Sequence, residues 1–389
     1  MSMQASPLPA ADDASHAHSD RVAAYLRERI AVANGSISFS EFMHEVMYAP
    51  GLGYYAAGLA KFGAAGDFVT APEISSAFGN VIATQIASIA RAKTVLEFGA
   101  GTGKLAADVL RTLAALDALP ETYLILEVSP ELAERQRTFL KEAVPEWIER
   151  VHWASSVPEH IDGVVLANEV LDAMPVERFV RHDHVVRSLH VRARGEEFEF
   201  VEAAPSTALS DAVTLIEAEQ GRLPEGYRSE VCLAARHWIG ELAETMRNGL
   251  VLLFDYGVSA REYYAADRSG GWLRCHFRHH VHNDPLILPG IQDLSAWVDF
   301  TAVAEAAHDA GLDVLGYTSQ AQFLIHGGLD RALEEFADLP PSAQLELSTA
   351  IKVLTLPGEM GENVKVLALG KHIDSEEFSF GTADRTASL

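Results

Sequence analysis

Residues 94–104 read Thr94-Val-Leu-Glu-Phe-Gly-Ala-Gly-Thr-Gly-Lys104, a short apolar strand running into three alternating glycines, with an acid just ahead of them. Gly99, Gly101 and Gly103 let the backbone turn sharply after the strand. They leave open a gap, which any side chain would fill, where a ligand can touch main chain. Two familiar phosphate loops do not fit. A dinucleotide fingerprint needs glycine at 104, where Lys104 stands, and a Walker A loop needs glycine at 98, where Phe98 stands.

From Lys93 onward, apolar runs of four to six residues alternate with amphipathic helical stretches, the signature of βαβ units on a parallel sheet. Strands are expected at Thr94–Phe98, Tyr123–Leu126, Val151–Trp153, Gly163–Leu166, Leu250–Phe254, Asp313–Tyr317 and Val364–Leu369. Helices are expected at Lys104–Leu116, Pro130–Glu142, Ser229–Arg247 and Thr301–Ala310. The expected fold is a Rossmann-like α/β sandwich: a seven-stranded, mostly parallel sheet with helices on both faces, plus an N-terminal helical segment and insertions. One insertion spans about residues 172–230, where the alternating run Val185–Val201 reads as a β-hairpin followed by a helix. The other spans about 257–299. Ahead of the sheet, Asp20–Val32 and Ser40–Tyr48 read as helices, the second with Ser40 as N-cap. Residues 1–18 and 376–389 are expected to be tails, and 19–92 a helical, cofactor-covering segment ahead of a catalytic domain at 93–375.

The pattern Glu97-x-Gly99-x-Gly101-x-Gly103 resembles the S-adenosylmethionine (SAM) turn of Rossmann-like methyltransferases; a glycine-rich turn in another α/β protein is the alternative. SAM has no phosphate, so its turn needs close approach and a carboxylate facing positive charge, which Glu97 can supply directly or by holding a neighbouring donor. In an open parallel sheet the ligand lies beyond the carboxyl ends of the strands. Glu127 follows the second strand, where an acid can accept both ribose hydroxyls, and Trp153 follows the third, where an adenine ring is edged or stacked. Asn168 and Glu169 follow the fourth, next to the methyl donor, and Asp255-Tyr256-Gly257 follow the fifth.

At 389 residues and 48% hydrophobic, the chain can bury a substantial core. Its net charge of −25 opposes broad binding to a polyanion, which disfavours a nucleic-acid substrate. Cys232 and Cys275 lack the paired spacing of a zinc site, so neither a disulfide framework nor a metal is implied. No stretch reaches the length of a transmembrane helix, and the first twenty residues carry acids and histidines instead of a secretory signal, so an intracellular protein is expected.

Five segments in this order are similar to the MidA family: Gly66-Asp-Phe-Val-Thr-Ala-Pro-Glu-Ile-Ser75, Leu96 to Gly103, Ala167-Asn-Glu-Val-Leu-Asp-Ala-Met-Pro-Val176, Asp255-Tyr-Gly257 and Met360-Gly361. The resemblance covers about residues 38–370. It implies a class I SAM-dependent methyltransferase; mitochondrial members assist assembly of respiratory complex I and methylate an arginine of one of its subunits. Under that resemblance Gly66–Ser75 folds over the cofactor with Thr70, Pro72 and Glu73 near it, and Asn168, Glu169 and Asp172 border the substrate entrance as the catalytic group. The resemblance then implies a protein substrate of the kind of a complex I subunit, and a bacterial cytoplasm as the setting. A non-catalytic SAM-binding assembly chaperone and a small-molecule methyltransferase are the alternatives.

Methyl transfer from a sulfonium is an in-line displacement, so catalysis rests on placing nucleophile and donor carbon at near-attack distance. An arginine nucleophile is cationic and needs carboxylates to offset repulsion; Glu169, Asp172 and Glu177 are the nearest in sequence. The segment Arg274-Cys-His-Phe-Arg-His-His-Val-His282 resembles no regular metal site, and a loop over the substrate channel is the favoured reading. With Arg261 and Arg268 it forms a locally basic stretch suited to an acidic partner surface.

Overall fold

The computed structural model describes residues 8–57, 69–89, 92–183, 185–334, 336–373 and 376–389. The chain divides into two compact units. A sheet unit comprises 69–171, 236–258 and 300–389, and an inserted unit comprises 1–68, 172–235 and 259–299.

In the sheet unit all seven expected strands form: β1 Thr94–Phe98, β2 Thr122–Leu126, β3 Val151–Ala154, β4 Ile161–Asn168, β5 Met246–Val258, β6 Asp313–Ser319 and β7 Val364–Lys371. Their spatial order is β3-β2-β1-β4-β5-β7-β6, and the sheet counts eight strands and not the expected seven, the two-residue Val298–Asp299 being the eighth. β1 to β5 run parallel, and β7 runs antiparallel to β5 and β6. Val95 to Phe98 and Leu250 to Phe254 are buried without a break. An uninterrupted buried run means that both faces of the sheet are covered, which is why these strands read as apolar stretches, broken only by Glu97, and do not alternate. Phe78, Leu105, Leu110 and Leu140 from the flanking helices join Val95, Tyr123, Leu166 and Leu252 in one core. The order reverses at β1, which has β2 on one side and β4 on the other, so the crevice beyond its carboxyl end is where a ligand binds. At the opposite end Gly163 has no tolerance for a side chain, because a Cβ there would stand 2.0 Å from the Thr94 carbonyl oxygen.

The inserted unit has its own core, in which Phe39, Phe42 and Met43 pack with Val191 from one insertion and Leu273, Cys275 and Leu294 from the other. Ile37 pairs with Val191 across a sheet built from Glu177–His182, Val185–Arg194, Glu197–Ala203 and Arg228–Val231. The helix expected after the hairpin is Thr207–Gln220. The expected division at residue 92 is therefore corrected: the early helices share a core with the two insertions, whereas 69–89 belongs to the sheet unit.

Several boundaries also move. Of the tail expected at 1–18, residues 1–7 lie outside the described residues, while from Asp13 the chain is a helix, Asp13–Val32, capped by Asp12, whose carboxylate accepts from the Ser15 amide. Helix Phe39–Tyr48 starts from Ser38 and not Ser40, through a capping box with Glu41, because an acid three residues on satisfies the Ser38 amide in return. The expected helix at Ser229 begins only at Leu233, since Arg228–Val231 completes a sheet edge. Residues 376–389 are no tail: Phe378, Phe380 and Ala383 are buried in the sheet unit's core. Among the described residues no helix is long and apolar enough to cross a membrane.

Candidate active site

The turn after β1 has the shape its glycines foretell. Gly99, Gly101 and Gly103 adopt φ of +62°, +54° and +87°, and Gly103 caps helix Lys104–Ala115. These are left-handed conformations that cost an L-residue about 1–2 kcal/mol. A Cβ on Gly101 would meet no protein atom within 4 Å, so the turn presents bare backbone to open space. Lys104, the residue that spoils the dinucleotide pattern, turns away to pair with Asp108 at 2.6 Å.

Glu97 is buried under this turn and accepts a hydrogen bond of 2.7 Å from the Tyr123 hydroxyl on the adjacent strand. Of the two roles open to it, holding a neighbouring donor is the one the geometry favours. Burial pushes its carboxyl up to about 7, aided by the nearby Glu127 charge and opposed by the Tyr123 hydrogen bond. A folded pKa above the unfolded value means the native state holds the proton more tightly, so stability falls as pH rises from about 4.5 to about 7 and then levels. Glu97→Gln removes that slope: relative to the parent it should gain on the order of 3 kcal/mol between pH 4.5 and pH 8. Denaturant unfolding at both pH values checks this; an unchanged difference between the two proteins refutes it.

Glu127 is held at both oxygens, accepting from the Ser129 amide at 2.9 Å and from the Gln136 side-chain amide at 2.9 Å. Its orientation is thus set in advance, and a carboxylate is a group able to accept from diol hydroxyls. Trp153 ends β3, donates its indole N–H to Gln136 at 2.9 Å, and has Arg137 over its ring at 4.8 Å. One indole face is consequently occupied by a guanidinium. Thr70 precedes the short helix Ala71–Ile74, Pro72 is buried within it, and Glu73 accepts from the Thr102 hydroxyl, tying this segment to the glycine turn. Gly66 to Phe68 lie outside the described residues.

β4 ends in a tight turn. Glu169 adopts φ +53°, strained for a residue with a side chain, and donates its amide to the Phe254 carbonyl at 2.8 Å. Asp255, fully buried at the end of β5, clamps the turn: Oδ2 accepts from the Val170 and Leu171 amides at 3.1 and 2.9 Å, and Oδ1 from the Tyr256 amide at 2.9 Å. The Asn168 amide nitrogen donates to Glu169 at 3.3 Å, while its buried Oδ1 has no hydrogen-bond partner. A buried acceptor with nothing to accept from is costly unless a ligand donor completes it.

The remaining candidates belong to the inserted unit. Asp172 accepts from the Ala296 amide through its carbonyl; burial, with the Asp293 and Asp172 charges, holds the Tyr48 and Tyr55 phenols well above their usual range. Burial and the Glu41 charge raise Glu177. The histidine-rich segment is a hairpin, Leu273–Phe277 with His280–His282, and not a loop. Its side chains diverge, His276 lying 3.6 Å from Asp293 while His279 and His280 are exposed. Its basic character is largely spent inside the unit, Arg278 on Asp12 and Arg268 over Trp272. Among the described residues, side chains close enough to share an ion are found elsewhere, at exposed His182, Asp183 and Glu225.

Bare backbone at a glycine turn, a pre-oriented acid after β2, an indole near the end of β3 and an orphaned acceptor at the end of β4, in a sheet whose last strand is antiparallel, make up the arrangement of a class I SAM-dependent methyltransferase. These features suit SAM, since the acceptors Glu127 and Asn168 Oδ1 can meet its hydroxyl and amino protons, and the lysine of the turn, Lys104, is paired with Asp108 and not held out for a phosphate. A family model described as S-adenosyl-L-methionine-dependent methyltransferase matches residues 77–318. The chain is 30% identical to protein arginine methyltransferase NDUFAF7, mitochondrial, of Danio rerio over 371 residues, 87% of this chain and 84% of that protein. The Homo sapiens protein of the same name is also 30% identical, with coverage of 87% and 81%. A COG1565 superfamily protein from Burkholderia thailandensis, in crystals bound to S-adenosyl-homocysteine, superposes with a TM-score of 0.91 at 38% identity over 98% of this chain and all of that one. The chain belongs to the MidA family of SAM-dependent methyltransferases, and its cofactor is SAM.

Sequence reasoning did not find Gln136, Tyr123 or Thr102. Gln136 left a trace: Leu132, Gln136 and Leu140 share one helical stripe, and a fully buried amide in an apolar stripe signals a polar task.

Proposed function

We propose that this methyltransferase modifies an arginine side chain of a partner protein. The observation that carries the reading is the strained, clamped turn that offers Glu169 beside Asn168 at the end of β4, in a chain 30% identical over most of its length to proteins named protein arginine methyltransferases. SAM supplies an electrophilic methyl group on a sulfonium. The protein's share of the work is to bring a cationic guanidinium close to that cation, which a carboxylate must offset, and to fix the plane of the fork. Glu169 does this, and Asn168 Oδ1 accepts an N–H from the bound pair. After transfer the methylated nitrogen sheds one proton to solvent, so the guanidinium leaves with its charge unchanged. The partner under this reading is a respiratory complex I subunit, as the family resemblance implies. The compartment is a bacterial cytoplasm, which suits Cys232 and Cys275 as cysteines not joined in a disulfide.

Glu169→Gln is expected to lower transfer of labelled methyl into partner protein by about 100-fold or more while S-adenosylhomocysteine affinity stays within about threefold. Amino-acid analysis of the labelled product identifies the acceptor, and label on any residue other than arginine sinks the assignment. Equal transfer by the variant would remove Glu169 from the mechanism.

A further inference from the structure

Gln136 lies in the middle of helix Pro130–Ala143, where an amide is ordinarily placed toward water, yet it is 0% exposed. Its nitrogen donates to the Gly101 carbonyl at 3.0 Å and to Glu127 Oε2 at 2.9 Å, and its oxygen accepts the Trp153 indole N–H at 2.9 Å. One side chain thus joins the glycine turn after β1, the acid after β2 and the indole after β3. Only an amide can do this. It offers two donors and one acceptor on a planar end; glutamate has no donor when ionised and an aliphatic side chain has neither.

We propose that Gln136 is the positioning residue of the SAM site. It holds the peptide at Gly101, the carboxylate of Glu127 and the ring of Trp153 in register with one another before the cofactor arrives. The three groups stand on separate strand ends, and side-chain and turn motions between those ends are what binding must otherwise freeze out. With Ser129 already holding the other Glu127 oxygen, the amide completes a fixed carboxylate that needs no reorganisation on binding. The assignment concerns the cofactor alone and stands whichever acceptor is methylated.

The test is calorimetric binding of S-adenosylhomocysteine to two variants of the full chain, at pH 5 and pH 8. Gln136→Met keeps the bulk and removes all three bonds; its Kd is expected to rise about tenfold or more, by a similar factor at both pH values. Gln136→Glu keeps the shape but sets an ionised carboxylate against Glu127 at pH 8; its loss of affinity relative to the parent is expected to be several-fold larger at pH 8 than at pH 5. A residue that merely stabilised the helix would lower the melting temperature without making the affinity ratio depend on pH. If Gln136→Met fails to fold, the pH profile of Gln136→Glu decides the matter alone. Parent-like affinity in both variants, or a Gln136→Glu ratio that is flat with pH, overturns the proposal.

Discussion

Replacing Gly101 with valine is expected to raise the S-adenosylhomocysteine Kd by at least about 100-fold while the protein still folds. The reasoning turns on two separate properties of one residue. A Cβ at position 101 meets no protein atom within 4 Å, so the added side chain displaces nothing in the fold and projects into the space that a ligand must enter to touch the backbone. The φ of +54° adds a cost of about 1–2 kcal/mol for any L-residue, and β-branching places valine toward the upper end. For a chain of this size that corresponds to a few degrees of melting temperature, against a loss of two or more decades in affinity. Calorimetry with S-adenosylhomocysteine and a thermal melt on the same sample separate the two. Parent-like affinity would falsify the placement of the cofactor at this turn.

Asp255→Asn is expected to damage both the fold and the rate. Its carboxylate, with no exposed surface, accepts from three backbone amides, two of them in the turn that carries Glu169. Asparagine keeps one acceptor and turns an N–H toward amide donors, leaving buried groups unsatisfied at about 1–3 kcal/mol each. Glu169, held at φ +53° only because its surroundings impose it, is then free to relax. A shift of about 1 Å in a positioning group can cost roughly 100-fold in rate, so kcat should fall by about that factor, with a smaller change in KM for SAM. Steady-state kinetics resolve the split: a rise in KM with kcat intact would mean that Asp255 supports cofactor binding and not the acceptor side.

The sheet was legible because its signals are local. The run Leu250–Phe254 is apolar without a break and Val95–Phe98 is broken only by Glu97, because both faces are covered, and the glycines of the turn announce positive φ at the positions where it occurs. Glu127 and Trp153 could be chosen for the same reason, since residues just past a strand end face the crevice of a parallel sheet. Local signals also misled. Ser40 was as good a cap as Ser38 until the reciprocal bond from Glu41 selected between them, and Arg228–Val231 reads as helix until Glu177–His182 offers it an edge. The histidine-rich segment, with Cys275 buried in a hairpin, follows the two-residue period of a strand more closely than any ligand spacing.

The positions of the seven strands along the chain, the glycine turn and the acids that follow the strands were written in the chain, because each depends on neighbours a few residues away and on the period of a single element. Which distant segments share a core was not. Phe39, Val191 and Leu273 meet only after the chain has closed separations of 152 and 82 residues, and no pattern of composition records such a meeting. The same holds within the site, where the role of Gln136 exists only once three strand ends lie within hydrogen-bonding reach of one amide, and where Asp255 becomes a clamp only because β4 and β5 lie side by side. Hydrogen bonds of about 3 Å are made in space, and their partners here are drawn from positions 35 and 85 residues apart.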